Sequence, residues 1–139
     1  MKQTRIEEIT SEETLDIRHK VMWPGKSKDY VRLPDDKNGR HFGLFVDNTL
    51  ISVISLFVEN REAQFRKFAT LTEFQGKGFG TKLLQEIMNI VYHSNINKLW
   101  CNARIDKYDY YAKFGMKSTD NKFVKGGIEY VIMEKIFDN

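Results

Sequence analysis

Residues 63–92 constrain this chain more than any other stretch, because an extended run, a glycine-rich turn and an amphipathic helix follow one another there. Residues 63–70 read as a strand. The turn Gln75-Gly76-Lys77-Gly78-Phe79-Gly80 puts three glycines in five positions. Leu83, Leu84, Ile87, Met88, Ile90 and Val91 then recur at helical spacing, which predicts a helix from about residue 80 to about 92 with a broad apolar face. Glycines let the backbone turn tightly and let a ligand come close. The first N–H groups of a helix have no partner inside it, and they sit at the positive end of its dipole. Together these features suit a phosphate or pyrophosphate at residues 75–81. A plain strand-to-helix turn explains the glycines alone equally well. The spacing excludes a P-loop, and it excludes a dinucleotide fingerprint because Thr81 stands where a third glycine is needed.

At 139 residues, 41% hydrophobic and 29% charged, the chain reads as one globular domain spanning residues 1–139. No apolar run approaches a membrane span, and the N-terminal residues hold no signal-peptide core. The single cysteine, Cys101, excludes an internal disulfide and fits a reducing cytoplasm. A net charge of +3 favours an anionic small molecule but is too small to argue for nucleic acid. The expectation is therefore a cytoplasmic domain with neither nucleic acid nor membrane as partner. A homodimer is left open.

Taken in order, residues 4–9 read as a strand. Thr10 and Glu13 form a capping box for a helix that ends near residue 22, before Pro24 and Gly25. Residues 23–40 read as a long polar loop carrying Trp23, Tyr30 and Pro34, either functional or a disordered excursion. Residues 41–46 and 50–58 form a hairpin about Asp47-Asn48, and Glu59-Asn60-Arg61 turns into the strand at 63–70. A fifth strand is expected at 98–103. A short helix capped by Asp106 should run to Phe114 and end at Gly115. A last hairpin, 118–124 with 129–137, closes about Gly126-Gly127. The order β-α-β-β-β-α-β-α-β-β is an α/β domain with a mixed sheet.

At two places the chain resembles the GNAT superfamily of N-acetyltransferases. Gln75, Gly78 and Gly80 fill its Gln/Arg-x-x-Gly-x-Gly/Ala signature between a strand and a helix. Residues 99–104 followed by Tyr110-Tyr111-Ala112-Lys113-Phe114-Gly115-Met116 resemble its fifth strand and Phe-Tyr-x-Lys-x-Gly-Phe segment. With the strand pattern on both sides, the resemblance covers nearly the whole chain. It implies a mostly antiparallel central sheet flanked by helices, with the fourth and fifth strands splayed apart. It also implies acetyl-CoA as acetyl donor, an amine as acceptor and no metal. Residues 23–40 would lie over the acceptor side.

Acetyl transfer from a thioester to an amine needs the donor held, the oxygen of the tetrahedral intermediate stabilised, and protons moved from the amine and to the thiolate. By resemblance, the backbone of Gln75, Gly76, Lys77, Gly78, Phe79, Gly80 and Thr81 binds the pyrophosphate. Lys77 and Lys82 can add charge, although a solvated face is the simpler reading of both. Phe68, Ala69, Thr70 and Leu71 offer a strand edge to the pantetheine arm, with a backbone N–H near Ala69 as oxyanion donor. Asn102 is placed to bond that arm. Arg104 is open between a substrate carboxylate, coenzyme A and no ligand. Tyr111 corresponds to the family tyrosine that protonates the leaving thiolate, and an ordinary tyrosine pKa of ~10 keeps it protonated at neutral pH. The strand acid that many members use as general base has no counterpart in Phe65-Arg66-Lys67, which leaves Glu59, Glu73, His41 or a water chain. Alternation with Asn102 points Cys101 inward, away from a covalent role. The reading is an N-acetyltransferase that lets a primary amine, on a small molecule or a protein, attack acetyl-CoA directly. The alternative is a non-catalytic coenzyme A-binding regulatory module.

Overall fold

The computed structural model describes residues 3–137; Met1, Lys2, Asp138 and Asn139, the ends of the expected single-domain span, lie outside the described residues. Its elements are β1 (Thr4–Ile9), α1 (Ser11–Met22), β2 (Arg40–Val46), β3 (Thr49–Glu59), β4 (Glu62–Thr70), α2 (Phe79–Tyr92), β5 (Lys98–Arg104), α3 (Tyr108–Ala112), β6 (Lys117–Lys125) and β7 (Ile128–Ile136). The seven strands form one sheet in the order β1-β2-β3-β4-β5-β7-β6, flanked by helices. The sheet is mostly antiparallel, and β4 with β5 is its parallel pair. The chain divides into two compact units. One holds the residues up to Phe57 together with Lys67–Ile87; the other holds Val58–Arg66 and everything from Met88 on. Among the described residues no helix is long and apolar enough to cross a membrane.

In the first unit, β1 pairs with β2 and β2 with β3. Asp47 and Asn48 make the two-residue turn between β2 and β3, both left-handed at φ 48° and 72°. That geometry matches the twist of the flanking strands, and aspartate and asparagine tolerate it better than most residues. Thr10 starts α1 with a full capping box: its Oγ1 accepts the Glu13 N–H at 3.2 Å, and the Glu13 carboxylate accepts the Thr10 N–H at 3.0 Å. Thr10→Ala should lower stability by about 1 kcal/mol, read as a shifted denaturant midpoint at constant slope. From α1 inward, Ile17 packs with Val53 and Ala69, and Ile9, Val21, Met22, Leu50 and Leu71 close around them.

Residues 23–40 are not a structureless loop. Two 3-10 turns, Lys28–Val31 and Asp36–Asn38, run through them, and Val31 and Asp36 are buried. The organising group is Arg18, which α1 carries on its inward stripe with Thr14, Leu15 and Ile17. Burial alone would raise the Asp36 carboxyl, but the Arg18 hydrogen bonds, the Leu33 N–H and the charge of Arg18 outweigh it and hold it below the usual aspartate value. A carboxyl lowered by folding stabilises fully above its unfolded pKa, and that stability is lost as pH falls through the folded value. The contribution of Asp36 is therefore complete at neutral pH and disappears only below the ordinary aspartate range. Acid unfolding of Asp36→Asn should lack this component.

In the second unit, Glu62–Gln64 of β4 pair in parallel with Lys98–Trp100 of β5. β5 pairs antiparallel with β7 over its full length, from Lys98↔Ile136 to Arg104↔Tyr130. The β6–β7 hairpin is irregular between Ser118 and Lys122. α3 is shorter than the sequence suggests. A 3-10 turn, Ile105–Lys107, precedes it, and no side chain caps it. Asp106 is thus not a helix cap; its carboxylate faces Arg104 at 3.9 Å.

Candidate active site

In the first unit, β4 ends at Thr70 and a 3-10 turn, Thr72–Phe74, leads into the glycine turn. Gly76 and Gly78 are both left-handed, at φ 74° and 86°, so a side chain at either is strained. A Cβ built on either would meet nothing within 4 Å, so the space above the turn is open. The Gly78 carbonyl accepts the Lys82 N–H at 3.0 Å, the first bond of α2. The turn thus presents exposed, left-handed backbone directly before a helix start, the arrangement an anion needs.

The end of β4 holds this turn in place. The Gln75 side-chain amide donates to the Thr70 carbonyl at 2.8 Å. The Thr70 hydroxyl lies 2.8 Å from the Ser52 hydroxyl, and Ser52 Oγ also donates to the Ala69 carbonyl at 3.2 Å. A Cβ on Gly80 would stand 3.1 Å from Thr70 Oγ1 and 3.3 Å from the Phe68 ring, so glycine lets α2 start against β4. Phe79 meets Phe74 edge-on at 6.0 Å, and Lys77 lies 5.9 Å from the Phe74 ring. Thr81 is half-buried in the first turn of α2. Lys82 is occupied elsewhere, donating to Thr4 Oγ1 at 2.7 Å. The first unit therefore brings Phe68, Ala69, Thr70 and residues 75–81 together. Ser52 is the participant that sequence reasoning missed. Its signal was one of two serines, Ser52 and Ser55, set among the apolar residues of Ile51-Ser52-Val53-Ile54-Ser55-Leu56.

Lys67, inside β4, is left-handed at φ 55°. A non-glycine residue in that conformation costs roughly 1–2 kcal/mol. It stands two residues before Ala69, and so marks a local break in the strand's geometry.

In the second unit, Tyr111 sits on α3 with its ring 5.6 Å from Phe65 and 5.4 Å from Tyr110. Burial pushes its phenol above the usual tyrosine range, and Cys101 and Tyr110 add to the shift. Tyr111 therefore stays a neutral phenol, with an O–H to donate, at neutral pH. Asn102 is exposed and stands inside the β5–β7 ladder opposite Ile132, not at a turn. Its neighbour Cys101 faces the core at 2% exposure, and burial pushes its thiol up to about 12. At neutral pH almost none of that thiol is nucleophilic thiolate. An aromatic disulfide reagent should label Cys101 slowly in the folded protein and at once in denaturant; equal rates would contradict the buried assignment.

Of the candidate bases, His41 is buried and both its ring nitrogens are engaged, at 2.7 Å to Ser55 Oγ and 2.8 Å to the Asp36 carbonyl. It has no free nitrogen for an amine's proton. Glu59 and Glu73 are exposed.

Comparison with known proteins agrees with this geometry. The family model described as an acetyltransferase (GNAT) domain matches residues 8–137. The chain is 31% identical over 140 residues to an uncharacterized N-acetyltransferase, YitI, of Bacillus subtilis (strain 168), covering 94% of each. Among solved structures it resembles a putative N-acetyltransferase from Lactobacillus plantarum, at a TM-score of 0.86 and 18% identity over 96% of this chain and 98% of that one. A GNAT family acetyltransferase from Elizabethkingia anophelis with acetyl-CoA bound superposes at a TM-score of 0.77 and 17% identity, covering 96% and 98%. With a glycine turn poised before α2, a tyrosine on α3 and a family match over almost its whole length, the chain belongs to the GNAT family of acetyltransferases.

Proposed function

We propose that the protein is an N-acetyltransferase that transfers the acetyl group of acetyl-CoA to a primary amine by direct attack. The observation that carries this is the turn at residues 75–78: two left-handed glycines with open space where side chains would be, immediately before α2. Those residues fit a pyrophosphate. The relative with acetyl-CoA bound supports the same donor here. Acetyl-CoA supplies an activated acetyl thioester.

The chain's own residues take the remaining roles. Backbone N–H groups of residues 75–81 hold the pyrophosphate, with Gln75 and Ser52 fixing the turn and the strand end beneath it. Phe68, Ala69 and Thr70 present strand backbone to the cofactor arm, and the N–H near Ala69 stabilises the oxyanion. Asn102 orients the arm. Tyr111 donates its hydroxyl proton to the sulfur that leaves, while the amine gives up its proton to water, from which the Tyr111 oxygen is reprotonated. Direct attack is supported by the state of Cys101, because a thiol buried and held up to about 12 is a poor acyl carrier.

The test is a panel of small amines and peptides incubated with acetyl-CoA, with released thiol detected. Turnover should follow sequential rather than ping-pong kinetics, and Cys101→Ala should keep it. Ping-pong kinetics would overturn direct attack. Tight coenzyme A binding with no turnover on any amine would favour a regulatory binding module.

A further inference from the structure

We propose that Arg18 is the positioning residue of the acceptor side: its buried guanidinium sets where residues 23–38 stand, and through them the acceptor KM. The proposal rests on the acetyltransferase reading and on the segment starting beside the end of β4, where Met22 packs against Ile17, Val53 and Ala69.

Arg18 occupies a core-facing position of α1 and is fully buried. One guanidinium there reaches three separate stretches of chain. Nη1 donates to the Val31 carbonyl at 3.1 Å and to Asp36 Oδ2 at 2.9 Å. Nη2 donates to Asp36 Oδ1 at 2.9 Å and to Ser55 Oγ at 3.0 Å. Asp36 Oδ2 also accepts the Leu33 N–H at 2.9 Å, so the carboxylate fixes the peptide between the two 3-10 turns. His41 closes the arrangement, bridging Ser55 and the Asp36 carbonyl.

Stability alone does not explain this choice of residue. Replacing such a buried ion pair by apolar side chains of similar volume is often neutral or stabilising, since both desolvation penalties go with it. Arg18 even leaves its Nε–H without an acceptor among the described residues. What arginine adds is direction. Its planar fork fixes the carboxylate and the two oxygens beside it at set angles, which neither leucine nor lysine can do.

The outer ties of the segment are of another kind. Arg32 pairs with Glu12 and Asp29, and Lys28 pairs with Asp16 at 2.7 Å, all with exposed side chains. Pairs like these hold little in water. The surface that the buried anchor presents is chemically distinct: Trp23 and Tyr30 are exposed and meet edge-on at 5.4 Å, with Lys26 over the Tyr30 ring at 5.3 Å. An ordered aromatic surface of this kind recognises a partner more cheaply than a loop that must first be ordered.

The test compares wild type with Arg18→Met/Asp36→Leu, which keeps the buried volume and removes the directional tie. Hydrogen exchange of the amides of residues 31–38 should quicken by about tenfold or more. The acceptor KM should rise by about tenfold, while kcat at saturation and the acetyl-CoA Kd stay within about threefold. Arg32→Ala, which breaks an exposed tie, should change none of these. If the double variant does not fold, Ser55→Ala keeps both charges and carries the same test, with effects of about threefold. Unchanged exchange overturns the proposal, and so does faster exchange with an unchanged acceptor KM. A wild type that turns over no amine sinks the enzymatic reading and the acceptor claim together; exchange then still decides whether Arg18 places the segment.

Discussion

Gly78→Val should weaken acetyl-CoA binding by ~10²-fold or more, on the order of 3 kcal/mol, the worth of one or two charge-assisted backbone hydrogen bonds. Two effects act together. At φ 86°, valine is forced out of the left-handed region, so the N–H groups of the turn no longer converge. The added side chain also fills the open space above the turn, where the pyrophosphate is proposed to lie. A Cβ there meets no protein atom within 4 Å, so the fold should survive with a loss of stability set by the backbone strain. Gly25→Ala is the control: a Cβ there also meets nothing within 4 Å, and its backbone is not left-handed. Titration calorimetry on the folded proteins decides the matter. A Gly78→Val protein that unfolds cooperatively and still binds acetyl-CoA as tightly as wild type would remove the pyrophosphate from this turn.

Tyr111→Phe should lower kcat by ~10²-fold, about 3 kcal/mol of barrier, with the acetyl-CoA Kd little changed. The ring and its contact with Phe65 are kept, and only the hydroxyl is lost. Because burial raises the phenol, its proton is held more tightly than in free tyrosine, and in the proposed reaction it would move only as charge develops on the sulfur. A thiolate is a fairly good leaving group, so a loss of about tenfold still fits. The raised pKa adds a second expectation: ionisation of Tyr111 should cause no alkaline fall in kcat below pH ~10. Tyr110→Phe should be nearly silent. Full kcat in Tyr111→Phe would show that another group or water delivers the proton.

The parts of the fold set by local chemistry were readable from the sequence. β1 has the expected bounds, and α1 starts where Thr10 and Glu13 can cap each other. The left-handed pair Asp47-Asn48 turns the hairpin, and α2 begins within one residue of the expected place. What escaped depends on partners distant in sequence. The order in residues 23–40 comes from Arg18 reaching across 18 residues to Asp36 and 37 to Ser55, and no local pattern encodes that. Asp106 looks like a cap in sequence, but it lies inside a 3-10 turn, Ile105–Lys107, and its carboxylate faces Arg104. Lys67 gives no sign of a left-handed backbone, because nothing in its side chain favours one. In the candidate site, the glycine turn was legible from its residue types. The support from Ser52 appears only once β3 and β4 lie side by side, while that from Gln75 is a local side-chain bond to the Thr70 carbonyl that residue type alone does not announce.

The hydrogen bonds around His41 run in one direction only. Arginine cannot accept, so Ser55 Oγ receives from Arg18, and its own hydroxyl proton is free to point at His41 Nδ1 when that nitrogen carries none. The Asp36 carbonyl cannot donate, so the proton of the neutral imidazole lies on Nε2. Among the two neutral tautomers, the Asp36 carbonyl therefore selects the one with its proton on Nε2, held by groups on β3 and the second 3-10 turn. Its two ring nitrogens should give well-separated ¹⁵N resonances in a magnetic resonance experiment, one pyridine-like and one pyrrole-like. Any acceptor that shifts Asp36 will move the Nε2 signal first. The protein thus carries its own spectroscopic probe of the segment around Asp36, needing ¹⁵N enrichment but no foreign group.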